Sequence, residues 1–201
     1  MTNGRRTHAG EPLPAIDRSL VRCGWATRDD PLYVAYHDEE WGVPERGDRE
    51  LFERLLLEGF QTGLSWRTIL HKRENFRRAF DGFSIEKVAA YGEADADRLM
   101  ADPGIVRNRM KVDAALHNAR VAADLPDGLA ALLWSHAPAP RPRPATRADV
   151  PALTPESTAM AKDLKKRGFK FVGPTTAYAL MQATGMVDDH VEGCWVASAV
   201  R

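Results

Sequence analysis

The chain has only two cysteines, no long apolar run and no net charge. Each absence excludes something. No stretch approaches the roughly 20 apolar residues that cross a bilayer, so a helical membrane protein is excluded. Two cysteines in 201 residues cannot build a disulfide framework. The first 20 residues contain no apolar h-region, which adds to the expectation of a cytoplasmic protein. The 28 basic and 28 acidic side chains cancel, which at first argues against a nucleic-acid partner. What is present is a hydrophobic share of 44%, including five Trp, seven Phe and four Tyr. That can fill a core, so wholesale disorder is excluded, and the length suits a single domain.

The charge is segregated along the chain. Between Asp29 and Glu58 ten acids face three bases, whereas 67–78 and 162–170 each carry five bases and one acid. A basic face for phosphates can therefore coexist with a neutral total. Solvated helix faces of mixed charge would give the same pattern.

Residues 1–20 mix Gly, Pro and charge without period and read as a disordered tail. Residues 21–201 read as one domain, interrupted by a loop at 137–155 that holds six of the 13 prolines. Apolar spacing predicts helices throughout. Asp48 is placed as the cap of a helix with Leu51, Phe52, Leu55 and Leu56 inward, ended by Gly59. Further helices are expected at Gly63–Lys72, at Ile85–Tyr91 under a Ser84 cap, and after Asn108. Others follow at Leu129–Trp134, Glu156–Arg167, Thr175–Thr184 and after Asp188. The best strand-like stretch is only Lys170–Val172, so the class is all-α.

Three constellations carry possible chemistry. His190 and Cys194 are four apart, one helical turn if helical, and Cys23 and His37 complete a set of two thiols and two imidazoles. That donor set suits a tetrahedral structural Zn²⁺ with no open position, tethering the two ends of the domain. Buried free cysteines, or a Cys23–Cys194 disulfide, would look the same in sequence. Second, a basic helix ends at Gly168, and a short link leads to Gly173 and Pro174. A tight hairpin there would point backbone N–H groups, a helix N-terminus and lysines at a DNA phosphate. An ordinary helix–turn–helix connector is the plainer alternative. Third, Glu58 ends an apolar run and has Tyr36, Trp41 and Trp66 near it in sequence. A carboxylate among aromatic rings can receive a flat cation, although core aromatics beside a surface acid at a helix end are the plainer reading of the sequence alone.

Taken together these residues resemble a known family. Cys23-Gly-Trp25, Asp30-Pro-Leu-Tyr33 and Tyr36-His-Asp-Glu-Glu-Trp-Gly-Val-Pro44 resemble segments of the DNA-3-methyladenine glycosylase I family. So do Leu57-Glu-Gly59, Gly63-Leu-Ser-Trp66, Lys72-Arg-Glu-Asn75, Gly104-Ile-Val-Arg107, Lys165–Gly173 and Asp189–Cys194. The match runs in order over roughly residues 21–195, with the tail and the proline-rich segment outside it.

The resemblance implies a helix-hairpin-helix fold and a base-excision repair enzyme. Such an enzyme flips 3-methyladenine out of alkylated double-stranded DNA and hydrolyses its N-glycosidic bond, without strand cleavage. It implies structural Zn²⁺ on Cys23, His37, His190 and Cys194. It implies a base pocket of Glu58, Tyr36 and Trp66, with Glu58 as the catalytic candidate. Gly63 and Leu64 correspond to the loop that fills the space of the extruded nucleotide. Gly168, Lys170, Gly173 and Thr175 correspond to the DNA-anchoring hairpin. Asp188 falls where the wider superfamily places a catalytic aspartate, a residue this family lacks. A helix N-cap beside a zinc ligand is the expected role. The protein is expected to be a monomer. A non-catalytic DNA-binding module, a zinc hydrolase and a glycosylase of wider lesion range are the competing readings.

Overall fold

The computed structural model describes residues 15–26 and 29–196; most of the tail expected at 1–20 lies outside the described residues. Among the described residues there are nine α-helices: α1 (Pro31–Glu39), α2 (Asp48–Gln61), α3 (Trp66–Ala79), α4 (Ile85–Ala89), α5 (Glu93–Ala101), α6 (Arg109–Ala123), α7 (Gly128–Trp134), α8 (Pro155–Lys166) and α9 (Pro174–Ala183). Single 3₁₀ turns occur at Asp81–Phe83 and Arg147–Asp149. No strand occurs among the described residues.

The central element is α2. Leu51, Phe52, Leu55, Leu56, Leu57 and Phe60 are all buried on it, and α3, α6, α7 and α9 pack around it. Each such side chain removed from water contributes about 1.5–3 kcal/mol. A ladder of rings, Phe60, Phe76, Phe80 and Phe83, continues this core with centroids 4.8–6.1 Å apart. Because α2 is wrapped on most sides, a polar residue on it such as Glu58 is forced into the interior.

Local chemistry sets most boundaries. Ser65, Ser84 and Asn108 accept the backbone N–H groups of Thr68, Lys87 and Lys111 at the starts of α3, α4 and α6. Asp30 does the same for α1 through Tyr33, followed by Pro31 in the first turn.

Five expectations change. The helix expected at Gly63–Lys72 instead runs from Trp66 to Ala79, with Gly63 and Leu64 in the loop before it. Gly47, not Asp48, precedes α2. The Asp48 carboxylate instead accepts the N–H of Ala130 at 2.6 Å, capping α7 across 82 residues. Gly59 does not end α2, which continues to Gln61. Lys170–Val172 forms the turn of the hairpin, with Phe171 at φ 56°, rather than a strand. Among the described residues no helix follows Asp188: the chain turns through Gly193 (φ 79°) instead. Helices α1 and α5 are additions that the apolar spacing does not announce.

Charge segregation also has a different meaning in three dimensions. Three bases of 67–78 pair with acids of 29–58: Arg67 with Asp30, Arg73 with Glu40, and Arg77 with Glu53. Lys72 is spent on the carbonyls of Pro103 and Gly104. The expected basic face at 67–78 is therefore largely neutralised within the protein. The other basic run stays open: Lys165, Lys166 and Lys170 are exposed and make no ion pair among the described residues.

Candidate active site and metal centre

A cavity of about 380 Å³ opens beside α2. Tyr33 and Tyr36 of α1, Glu58 and Gln61 of α2, and Trp66 of α3 line one part of it. Trp25, Trp41, Gln182 and Asp189 line another, and Arg147 and Val150 of the proline-rich segment complete the wall. The aromatic rings brace one another. Trp25 meets Tyr33 and Trp41 edge-on at 5.3 and 4.9 Å, and Tyr36 lies 5.3 Å from Trp66. The structure thus brings Glu58, Tyr36 and Trp66 to one cavity, the grouping that the family resemblance implies and that the residue pattern alone left open.

Glu58 is 5% exposed, and its carboxylate has no hydrogen bond or ion pair among the described residues. Burial pushes its carboxyl up to about 8, against the pull of the Arg54 charge one turn earlier on the helix. Arg54 is itself committed elsewhere, ion-paired with Glu40 and set 5.3 Å from the Tyr36 ring. The Trp66 indole N–H is likewise buried without a partner. A buried acid and a buried donor left unsatisfied in a ring-lined cavity cost stability unless a ligand satisfies them. A flat ring bearing positive charge would stack on the aromatics and meet the carboxylate.

Beside the cavity, Cys23, His37, His190 and Cys194 are all buried, and one donor atom from each lies within 4.8 Å of the others. The Cys23 Sγ–His190 Nδ1, Cys194 Sγ–His37 Nε2 and Cys194 Sγ–His190 Nδ1 separations are 3.6, 3.5 and 3.5 Å. A tetrahedron with metal–sulfur bonds of about 2.3 Å and metal–nitrogen bonds of about 2.05 Å has S···N edges near 3.6 Å. The second ring nitrogens are also assigned: His37 Nδ1 faces Asp38 at 2.7 Å and His190 Nε2 faces the Trp41 carbonyl at 3.1 Å. These partners leave the inward nitrogens free to bind a metal. Without a cation, burial pushes the Cys23 thiol up to about 12 and the His190 imidazole down to about 4. The donor set fits one divalent metal, closed to further ligands, and joins segments 167 residues apart.

The His190–Cys194 spacing works through a turn, not a helix. The Cys194 N–H donates to the Val191 carbonyl at 3.1 Å. Asp188 accordingly caps no helix: one oxygen accepts the His190 N–H at 3.2 Å and the other receives Arg143 at 2.8 Å. It does not line the cavity, whereas its neighbour Asp189 does, held by Tyr178, Gln182 and Arg141.

The hairpin lies between α8 and α9. Gly168 has φ 101°, a conformation costly for any side chain. The Phe169 N–H reaches back to the Leu164 carbonyl at 3.0 Å, closing α8. Phe169 and Val172 are buried while Lys170 points to solvent. Asn118 of α6 grips Lys170 twice, donating to its carbonyl at 3.0 Å and accepting from its N–H at 2.8 Å. Gly173 precedes α9, where a side chain would meet nothing within 4 Å, and Thr175 is exposed in the first turn. Gly63 and Leu64 occupy the loop between α2 and α3, with Leu64 42% exposed.

Sequence reasoning gave no pocket role to Trp25, Gln61, Asp189 or Arg147. Trp25 adjoins Cys23 and could have been inferred from that neighbour. The other three depend on long-range packing.

Comparison with known proteins agrees with this geometry. The family model for methyladenine glycosylase matches residues 25–197. The DNA-3-methyladenine glycosylase 1 of Escherichia coli strain K12 is 49% identical over 181 residues, covering 87% of this chain and 96% of the relative. The DNA-3-methyladenine glycosylase of Haemophilus influenzae is 42% identical over 180 residues, with the same coverage of both chains. A crystal structure of 3-methyladenine DNA glycosylase I superposes with a TM-score of 0.84 at 48% identity, covering 87% of this chain and 98% of that one. The enzyme from Staphylococcus aureus superposes at 0.83 with 36% identity, covering 87% and 95%. The proline-rich segment, expected to fall outside the resemblance, lies within the span of the family model. The chain belongs to the methyladenine glycosylase family.

Proposed function

We propose that this protein is a base-excision repair glycosylase that releases 3-methyladenine from alkylated double-stranded DNA. The observation that carries the reading is Glu58, a buried and unpartnered acid in an aromatic cavity. A base within the duplex is out of reach, so the nucleotide swings out into the cavity. Methylation at N3 weakens pairing, which lowers the cost of extrusion, and gives the base positive charge. Tyr36 and Trp66 stack on the base and Glu58 meets its charge. A cationic base is already a good leaving group. Water therefore attacks the anomeric carbon as the glycosidic bond breaks; the bonding pair leaves with the base, which departs neutral, and the proton of the attacking water passes to solvent. Glu58 is the one catalytic residue we assign, favouring the state in which the bond is stretched.

Leu64, beside Gly63, fills the vacated stack. Gly168, Lys170, Gly173 and Thr175 hold the phosphate backbone through N–H groups and charge, without reading sequence. The cavity lining includes no lysine among the described residues, which supports hydrolysis without a Schiff base and hence without strand cleavage. The metal is structural Zn²⁺ on Cys23, His37, His190 and Cys194, clasping the two ends of the domain. Two thiolates in that clasp suit a reducing cytoplasm, and the enzyme acts there on chromosomal DNA as a monomer.

The test is release of free 3-methyladenine from methylated duplex, measured by chromatography and mass spectrometry. Wild type should release it, and Glu58→Gln should lower the single-turnover rate at least tenfold. Undiminished release by Glu58→Gln would remove Glu58 from the mechanism.

A further inference from the structure

A cavity suited to a cationic ring has a cation in its own wall. Arg147 lines it but is exposed, so it stands at the opening. Its guanidinium has no ion pair and no hydrogen bond among the described residues. Beside it Tyr33 feels the charges of Arg147 and Arg67, but Arg67 is bound to Asp30 at 2.6 Å. Among the described residues, Arg147 is therefore the uncommitted cation at this edge.

Its position is built rather than incidental. The proline-rich segment is tied down by Arg141 on Asp189 and Arg143 on Asp188, at 2.7 and 2.8 Å, onto acids that are both buried. The Glu192 N–H donates to the Pro144 carbonyl at 2.9 Å. Asp149 accepts both the N–H and the hydroxyl of Thr146, at 2.8 and 2.7 Å, fixing the 3₁₀ turn that carries Arg147.

A guanidinium facing the cationic base would repel it. A nucleotide that enters base-first, however, leaves its sugar and two flanking phosphates at the opening. There the same guanidinium is attracted, and its fork can take two phosphate oxygens at once. We propose that Arg147 binds a backbone phosphate of the extruded nucleotide at the cavity mouth, a second anchor separate from the hairpin. This rests on the cavity's receiving a flipped base. It makes the proline-rich segment part of the DNA-binding surface.

The experiment compares wild type, Arg147→Gln and Arg147→Lys. Each is titrated with a duplex containing a tetrahydrofuran abasic analogue over a salt series, and separately with free 3-methyladenine. Arg147→Gln should bind the duplex several-fold more weakly and lower the slope of log affinity against log salt by about one. Arg147→Lys should keep the slope. Affinity for the free base should be the same in all three. A wild-type slope in Arg147→Gln would overturn the proposal. Loss of free-base affinity would also overturn it, by placing the side chain on the base. If wild type neither binds free 3-methyladenine nor releases it from methylated duplex, the reading of the cavity fails, and the proposal with it.

Discussion

Arg73 on α3 grips Glu40 at the end of α1 with two charge-assisted hydrogen bonds, 2.6 and 2.8 Å long. Arg54 of α2 reaches the same carboxylate. Three helices that surround the cavity thus meet at one acid. Burial alone would raise the Glu40 carboxyl, but the hydrogen bonds and charges of Arg73 and Arg54 hold it down at about 2. Glu40→Gln would leave two buried guanidinium groups without their counter-ion, at a cost of about 3–5 kcal/mol. Urea denaturation should show this loss at pH 7. Because the folded-state value is depressed, the contribution is fully present above the ordinary value of 4.5 and fades as pH falls towards 2. Wild type and Glu40→Gln should therefore converge in stability across that interval, and a gap constant with pH would contradict the assignment.

How much of this was legible in sequence follows from the range of each interaction. Caps such as Ser84 and Asn108 act over three residues and could be read directly. Helix α1 could not, because Val34, Ala35, Tyr36 and His37 are all buried in succession and leave no one-sided stripe. Asp48 has the composition of a cap and is one, but for a helix 82 residues away. The acidic and basic runs looked like separate surfaces because the pairing between them is tertiary. The four metal-site residues were legible as a donor set. Their helical spacing was misleading, since a turn supplies the geometry between His190 and Cys194. The Glu58 cavity was legible only as an option, for nothing local distinguishes a buried acid from a surface one. The resemblance to a family decided it.

Glu58 makes a pH prediction of opposite sign. Its carboxyl is raised to about 8, and the form that meets a cation is the carboxylate. The kcat/KM for excision should then rise with pH through a midpoint near 8 and level off about one unit above it, reporting the free enzyme. Glu58→Gln should lose that rise. For stability, an acid raised in the folded state favours folding below its ordinary value of 4.5 and loses that advantage as pH climbs through about 8. Glu58→Gln should therefore melt at a higher temperature than wild type at pH 9 and close to it at pH 4. A flat kcat/KM profile from pH 6 to 9 would remove the titration from the mechanism.

The metal centre should matter to folding and not to chemistry. Purified protein should carry about one zinc per chain by elemental analysis. A chelator should lower Tm, because binding energy at a closed four-ligand site is folding energy. Cys194→Ser should abolish stoichiometric zinc and destabilise the chain. At a temperature where it remains folded, its single-turnover excision rate should stay within about tenfold of wild type, far from the effect of removing a metal that activates water. A thousandfold fall in a folded variant would argue for a reactive metal.

The hairpin is held from behind by α6. His117 meets the Gly168 carbonyl at 2.9 Å, and Asn118 satisfies both backbone groups of Lys170. In the first turn of the same helix, Lys111 donates to the carbonyls of Phe60 and Thr62 at 2.8 and 2.6 Å. It thereby fixes the chain that leads into Gly63 and Leu64. The two contacts on α6 are seven residues apart, about 10 Å along its axis. That spacing separates the hold on the hairpin from the hold on the Gly63–Leu64 loop. Asn118→Ala would release the Lys170 backbone and leave two of its groups unsatisfied, costing about 1–3 kcal/mol each if they stay dry. Duplex affinity should fall and binding of free 3-methyladenine should not, because Asn118 does not line the cavity. Asn118→Asp keeps the acceptor for the Lys170 N–H but sets a carboxylate against the Lys170 carbonyl, so it should bind duplex more weakly than wild type as well. Unchanged duplex affinity in both variants would mean that the hairpin holds its shape without α6.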